Sequence, residues 1–150
     1  MEISSLDVKK LREATGASVM ECKKALENAS GDFDKALGFL KEQGSRTAEK
    51  KAGRSTTAGL VEPYIHNSGQ LGALVEVFCE TDFVARNPIF KELAHDLAMQ
   101  VVVASPENID GLLASLFIKD ESQTVSELIT SKIAVLGENI KVGRFVRFQI

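Results

Sequence analysis

Three short apolar series follow one another in the first 44 residues, and each lies between residues that commonly begin and end helices. A polar capping residue precedes each series and a glycine follows it, which is typical of helix boundaries. The series predict helices from Ser4 or Ser5 to Gly16, from Ser18 to Gly31 and from Asp32 to Gly44. We therefore expect a compact module of three helices at the start of the chain.

The second predicted helix carries two apolar residues that could serve a partner. Helices this short bury little area each, so we expect some of their apolar side chains to be used outside the module. Val19 and Met20 are the candidates, because they lie in the first turn of this helix, directly after the turn at residues 15–17. The pattern is equally compatible with both side chains lying in the core.

From Gly44 to Ala58 the composition changes to Ser, Thr, Ala and Gly, with four basic residues and one acidic residue. We interpret residues 46–58 as a basic linker between a module of residues 1–45 and a second domain of residues 59–150. Contact of this linker with RNA is the alternative, but no aromatic residue is interleaved for base stacking. The formal charge of −3 gives no general attraction to nucleic acid, so no direct nucleic-acid partner is expected.

The second domain opens with two β-like runs, residues 60–66 and 71–79, which enclose the turn-forming sequence NSGQ. This arrangement predicts a β-hairpin. Pro63 cannot donate to a ladder, so the first run is expected at the edge of a sheet and the second run nearer its centre.

Helical patterns and a final strand follow the hairpin. Helical spacing runs from Asn87-Pro88 to Pro106, weakly through residues 112–117, and again from the capping-box sequence at Thr124 to Gly137. The last residues alternate as a strand with one predicted apolar face, interrupted by Arg144 and formed by Ile140, Val142, Val146, Phe148 and Ile150. The fold class predicted from these patterns is α+β, with an N-terminal helical module, a linker and an antiparallel sheet packed by helices.

The sequence offers little for chemistry. Its two cysteines and two histidines lack the close pairings of zinc sites, and no phosphate-binding or nucleophile motif occurs. We therefore expect no metal, no cofactor and no enzymatic activity. No targeting segment and no run of about 18 apolar residues is present, which predicts a cytoplasmic protein without membrane association.

The unusual segment is Thr81-Asp82-Phe83-Val84, which lies where a predicted strand ends and a helix begins. An aromatic side chain that protrudes there is costly unless something covers it. Two interpretations remain open from the pattern: Phe83 packs beneath its own helix, or it enters a partner protein.

Three stretches resemble one known family, elongation factor Ts, the exchange factor of the tRNA-carrying GTPase elongation factor Tu. They are LREATGASVMECKKAL at residues 11–26, ETDFVARN at 80–87, and GENI at 137–140 with the following RFVRF. They occur in the family's order and span nearly the whole chain.

The resemblance implies a function and its residues. It implies a translation elongation factor that binds elongation factor Tu with GDP and promotes GDP release. The N-terminal module would be similar to ubiquitin-associated domains and would rest on the GTPase through Arg12, Val19 and Met20. Many family members have Met where Val19 stands. The segment Thr81-Asp82-Phe83-Val84 matches the element that disturbs the magnesium site of the partner.

The chain also departs from the family. Between Pro106 and Leu113 there is no counterpart of the family's helical insertion, nor of a second copy of the core. Short family members act as pairs, and the apolar face of the last strand gives a physical reason to expect a homodimer. Two other function classes remain: a non-exchanging protein-binding module that uses the N-terminal helices, and an RNA-binding factor that acts through the basic linker.

Overall fold

A computed structural model describes residues 2–150. In chain order the elements are α1 (Ser5–Thr15), α2 (Val19–Asn28), α3 (Phe33–Lys51), β1 (Ala58–Ile65), β2 (Leu71–Cys79), α4 (Asp82–Ala85), α5 (Pro88–Ala104), α6 (Ile109–Ala114), β3 (Leu116–Phe117), β4 (Asp120–Thr124), α7 (Val125–Leu136) and β5 (Lys141–Gln149). Helices at the start and an antiparallel sheet in the second part confirm the predicted α+β class. Among these described residues, no helix has both the length and the apolar character needed to cross a bilayer.

The N-terminal helices begin at the predicted capping residues. The Ser18 hydroxyl accepts a hydrogen bond from the Glu21 N–H (3.3 Å), and the Glu21 carboxylate accepts one from the Ser18 N–H (2.9 Å), so the capping box of α2 is present. Gly16 ends α1 with φ 70°, a left-handed conformation that glycine adopts without strain. The three helices share a small buried core of Leu11, Cys22, Ala25, Leu26, Ala29 and Ala36.

The prediction that the third helix ends at Gly44 is wrong, because α3 continues to Lys51. Gly44 is buried, and a Cβ atom in its place would lie 3.4 Å from Ala134 Cβ in α7. The Lys51 ammonium also donates to the Gly137 carbonyl (2.6 Å), at the end of α7. These contacts outweigh the helix-breaking tendency of glycine, about 1 kcal/mol. Residues 46–51 of the predicted linker are thus helical, and the division into domains stays a prediction.

The sheet has β2 at its centre, paired antiparallel with β1 on one side and β5 on the other. The predicted hairpin and the edge position of its first strand are confirmed, with Pro63 opposite Leu74. α5 packs against β1 and β2, and α7 packs against α5. The main core lies between these helices and one face of the sheet, and its fully buried members include Val75, Val77, Phe90, Leu93, Leu97, Val101 and Val125.

The weak helical stretch predicted at residues 112–117 is wrong in its last part. α6 ends at Ala114, and Leu116 and Phe117 form β3, which pairs with β4. The cause is a buried amide on α5: Gln100 Nε2 donates to the Leu116 carbonyl (2.8 Å), and the Ile118 N–H donates to Gln100 Oε1 (3.0 Å). This contact holds the extended backbone against α5.

The predicted single apolar face of the last strand is also wrong, because a β-bulge reverses the two faces of β5. Val142 pairs with Val77 and Phe145 with Val75, so two residues of β5 oppose the single residue Glu76. Before the bulge Ile140 and Val142 face the core, and after it Phe145 does. The apolar residues at this end of the chain that remain exposed are Val146, Phe148 and Ile150.

The bulge is held by Glu76, whose carboxylate accepts hydrogen bonds from Arg144 Nε (2.8 Å), Nη2 (2.9 Å) and the Arg144 backbone N–H (2.8 Å). The side-chain bonds from Arg144, followed by the backbone bond, lower the pKa of Glu76 to about 2 from its usual 4.5. A carboxylate that loses its proton more readily in the folded state stabilises that state above its unfolded pKa.

We predict that Glu76→Gln lowers stability at neutral pH, and that the difference from wild type shrinks as pH falls. The stabilisation by ionised Glu76 is fully present above about pH 4.5 and is lost as pH falls through about 2. Urea unfolding between pH 7 and pH 2.5 measures this difference, with Glu121→Gln in β4 as the control. A difference that stays constant over this pH range would contradict the assignment.

Candidate partner-binding surface

The 81–84 segment leaves the end of β2 and forms the single turn α4. Thr81 caps this turn, and its hydroxyl accepts a hydrogen bond from the Val84 N–H (3.4 Å). Val84 packs against the main core and Ala85 is buried, so the turn is fixed on its inner side. Phe83 is on the outer side and 87% exposed. Phe83 therefore does not pack beneath its own helix.

The turn is also fixed by charged groups from a distant part of the chain. The Glu138 carboxylate accepts hydrogen bonds from the Thr81 N–H (3.0 Å) and the Thr81 hydroxyl (2.7 Å). The neighbouring residues form a second contact: Glu80, which precedes Thr81, accepts a hydrogen bond from the N–H of Asn139, which follows Glu138 (2.8 Å). These residues join the end of β2 to the turn between α7 and β5.

The sequence singled out the 81–84 segment but left open whether Phe83 is exposed, and it did not predict the residues that support the segment. Glu80 and the GENI run at residues 137–140 carry the family resemblance, but nothing in their pattern predicts that they meet. Asp82 is exposed in the first turn of α4, next to the cap rather than at it.

The candidates in the N-terminal helices are also on the surface. Val19 is 51% and Met20 is 76% exposed, so neither lies in the core of the module. Arg12 is exposed in the last turn of α1. These three residues belong to the helices around the small core, whereas Phe83 projects from the main core. The predicted contact residues therefore occupy two separate regions of the fold.

A third exposed apolar region covers the outer face of the sheet. Leu74 pairs with Val146, so their side chains adjoin across the strands, and Gly72, which has no side chain, pairs with Ile65 on one side and Phe148 on the other. Its exposed apolar side chains are Val61, Ile65, Leu74, Val146 and Phe148. We call these five residues the outer sheet patch.

The titratable side chains of the described residues show no arrangement for metal chemistry. Within residues 2–150, no three His, Cys, Asp or Glu side chains lie close enough together to hold a metal ion. Cys22 and Cys79 are buried free thiols, and burial raises the pKa of each above its usual value. A raised pKa keeps a thiol protonated and weakly nucleophilic.

Comparison with known proteins places the chain in a family. Residues 80–150 match a family model described as "Elongation factor TS". Three similar proteins are named "Elongation factor Ts". That of Coprothermobacter proteolyticus is 43% identical, with 100% of this chain and 99% of the relative covered. Those of Carboxydothermus hydrogenoformans and Rippkaea orientalis are 42% and 44% identical, covering 99% and 98% of this chain and 89% and 78% of the relatives.

The same alignments show where the chain is unusual. The alignment with the Coprothermobacter proteolyticus protein extends over 195 residues, whereas this chain has 150 residues, so about 45 aligned positions have no counterpart here. The short form expected from the sequence agrees with this difference. The resemblance seen in the three sequence stretches is confirmed, and the chain belongs to the elongation factor Ts family of translation elongation factors.

Proposed function

We propose that the protein is a guanine nucleotide exchange factor that binds elongation factor Tu with GDP and promotes GDP release. The observation that carries the proposal is the position of Phe83, a large apolar side chain held out from a short turn that is anchored on both sides. Burial of such a side chain in a partner contributes about 1.5–3 kcal/mol. That free energy is available to distort the surface that receives it.

The nucleotide site of a GTPase is where such distortion has an effect. GTPases hold their nucleotide through its phosphates and magnesium, and nanomolar binding corresponds to about 12 kcal/mol. In our proposal Phe83 enters between helices of the partner, and Thr81, Asp82 and Val84 form the rest of the contact that disturbs the magnesium and phosphate site. Each 1.4 kcal/mol removed from the barrier raises the release rate about tenfold.

The N-terminal helices supply the second contact in this proposal. Arg12, Val19 and Met20 bind the partner, and their exposure supports this role. Their contacts would stabilise the complex and the transition state for GDP release equally, and so would set the affinity for the partner and not the maximal rate of release. We propose two domains, a module of residues 1–45 and a core of residues 59–150, joined by the linker 46–58, whose first part is the end of α3. Its proposed location is the cytoplasm, where elongation factor Tu acts.

Exchange requires a reciprocal effect. Whatever factor the protein removes from the affinity of elongation factor Tu for nucleotide, nucleotide removes from the affinity of the GTPase for the protein. Binding of GTP then ejects the protein after GDP has left, and no covalent chemistry by this chain is needed.

We also propose that the protein forms a homodimer through the outer sheet patch. The patch runs across β1, β2 and β5 and consists of large apolar side chains that water otherwise contacts. A second copy offers the same patch, which suits a two-fold symmetric interface.

Phe83→Ala should reduce the maximal acceleration of GDP release from elongation factor Tu by about 10- to 100-fold, because it removes about 1.5–3 kcal/mol of side-chain burial. Release of fluorescent GDP at saturating protein measures this. Leu116→Ala, a change at another exposed apolar side chain, is the control. Equal acceleration by wild type and Phe83→Ala would reject the wedge, and no acceleration by wild type would reject the function.

Met20→Ala should raise the concentration needed for half-maximal acceleration by about tenfold and leave the maximal rate nearly unchanged. Lys24→Ala on the same helix is the control. The alternative function, a binding module without exchange, predicts that wild type binds a partner through the N-terminal helices but does not accelerate GDP release. Met20→Ala would then weaken that binding, and Phe83→Ala would change neither the binding nor GDP release.

Phe148→Glu should convert the dimer to monomers, because a charge buried within an apolar interface is left unpaired. Sedimentation at several protein concentrations measures the change. Ile118→Glu, which also places an acid at an exposed apolar position, should leave the assembly unchanged. A wild-type protein that sediments as a monomer at every concentration would reject the dimer.

A further inference from the structure

We propose that Glu138 and Asn139 are positioning residues that hold the 81–84 segment and fix the direction in which Phe83 projects. The proposal rests on the exchange function proposed above. Neither residue belongs to the predicted contact surface, and both lie between the end of α7 and the start of β5. We call the group formed by Glu80, Thr81, Glu138 and Asn139 the clasp.

Glu138 determines how Thr81 caps the turn. A threonine hydroxyl has one proton to donate and can still accept a hydrogen bond. The Thr81 hydroxyl donates its hydrogen bond to Glu138 Oε2 (2.7 Å), so the hydroxyl oxygen is free to accept one from the Val84 N–H (3.4 Å). Glu138 Oε1 accepts from the Thr81 N–H at 3.0 Å. Hydrogen bonds to a carboxylate are roughly twice as strong as neutral ones, so Thr81 is fixed in both backbone and side chain.

Asn139 extends the clasp to the residues after α3. It is 3% exposed, and its Nδ2 donates to the Ala52 carbonyl (3.3 Å) and the Arg54 carbonyl (2.9 Å). Its backbone N–H donates to Glu80 Oε1 (2.8 Å), and Arg54 Nη1 lies 3.6 Å from the other Glu80 oxygen. Residues 52–54, Glu80 and the turn before β5 therefore meet at Asn139.

The turn needs this support because it is short. α4 has four residues, and a helix of that length has little stability of its own. The Phe83 side chain is 87% exposed, so its direction depends on the backbone that carries it. Without the clasp the cap loosens, and Phe83 samples directions that do not fit the partner. A Phe83 side chain without a fixed direction must be ordered when it enters the partner, so the entropic cost arises at the insertion step and not in the initial binding.

The clasp also connects the two proposed contact regions. α3 carries the N-terminal helices and ends at Lys51, directly before the residues that Asn139 holds. The segment that follows the N-terminal helices is therefore hydrogen-bonded to the base of the 81–84 segment.

The test compares Glu138→Ala with wild type in GDP release from elongation factor Tu. We expect the maximal acceleration to fall about fivefold or more, while the half-saturating concentration changes less than about twofold. Glu138→Gln keeps an acceptor for the Thr81 N–H, and should lose about twofold. Glu121→Ala removes an exposed carboxylate outside the clasp and should behave as wild type.

The readout that separates positioning from general stability is the double variant with Phe83→Ala. If Glu138 acts through Phe83, Glu138→Ala causes no further loss when Phe83 is already alanine. An equal further loss in that background, or wild-type acceleration by Glu138→Ala, would overturn the positioning role while the exchange function stands. Absence of acceleration by wild type would overturn both proposals. If Glu138→Ala does not fold, the same comparison is made with Glu138→Gln.

Discussion

The packing of α5 across β2 is the contact on which the sheet and the 81–84 segment depend. Val75, Val77 and Cys79 of β2 are fully buried beneath α5, whose Phe90 and Leu97 are also fully buried. β2 pairs with a strand on each side, so this burial fixes the whole sheet. It also fixes the point at which the chain leaves the sheet, after Cys79. The 81–84 segment begins at that point and inherits its position.

Two different kinds of interaction hold the 81–84 segment, which we propose as a partner contact. Apolar burial of Val84 and Ala85 holds the inner side of α4, and charged hydrogen bonds from Glu138 hold its cap. Phe83 lies on the outer side of the turn and does not belong to the core. A side chain that is costly to expose and rigidly presented is suited to binding, because little conformational entropy is lost when it is buried.

The sequence predicted the elements whose signals are local. The structure contains the expected capping boxes at Ser18 and Thr124, the Asn87 cap of α5 and the edge position of Pro63. The errors occurred where distant contacts override local preference. Packing on α7 carries α3 through Gly44, and the Gln100 amide holds Leu116 in a strand. The sequence pattern did not predict the exposed position of Phe83, because that position depends on how the neighbouring side chains pack.

The bulge opposite Glu76 is the clearest case of what periodicity cannot show. Strict alternation assigned Val142 and Val146 to one face of β5, but one extra residue places Val142 on the core and Val146 on the outer sheet patch. Only the pairing with β2 reveals the extra residue. Local sequence cannot predict the clasp either, since 57 residues separate Thr81 from Glu138 along the chain.

The most direct measurement of the central proposal is the coupling between this protein and GDP on elongation factor Tu. Titration calorimetry gives the affinity of the protein for the GTPase without nucleotide and with saturating GDP and magnesium, and the affinity for GDP with and without the protein. We predict that both affinities fall by the same factor, of the order of 100-fold. Affinities of the protein that are equal with and without GDP would contradict it.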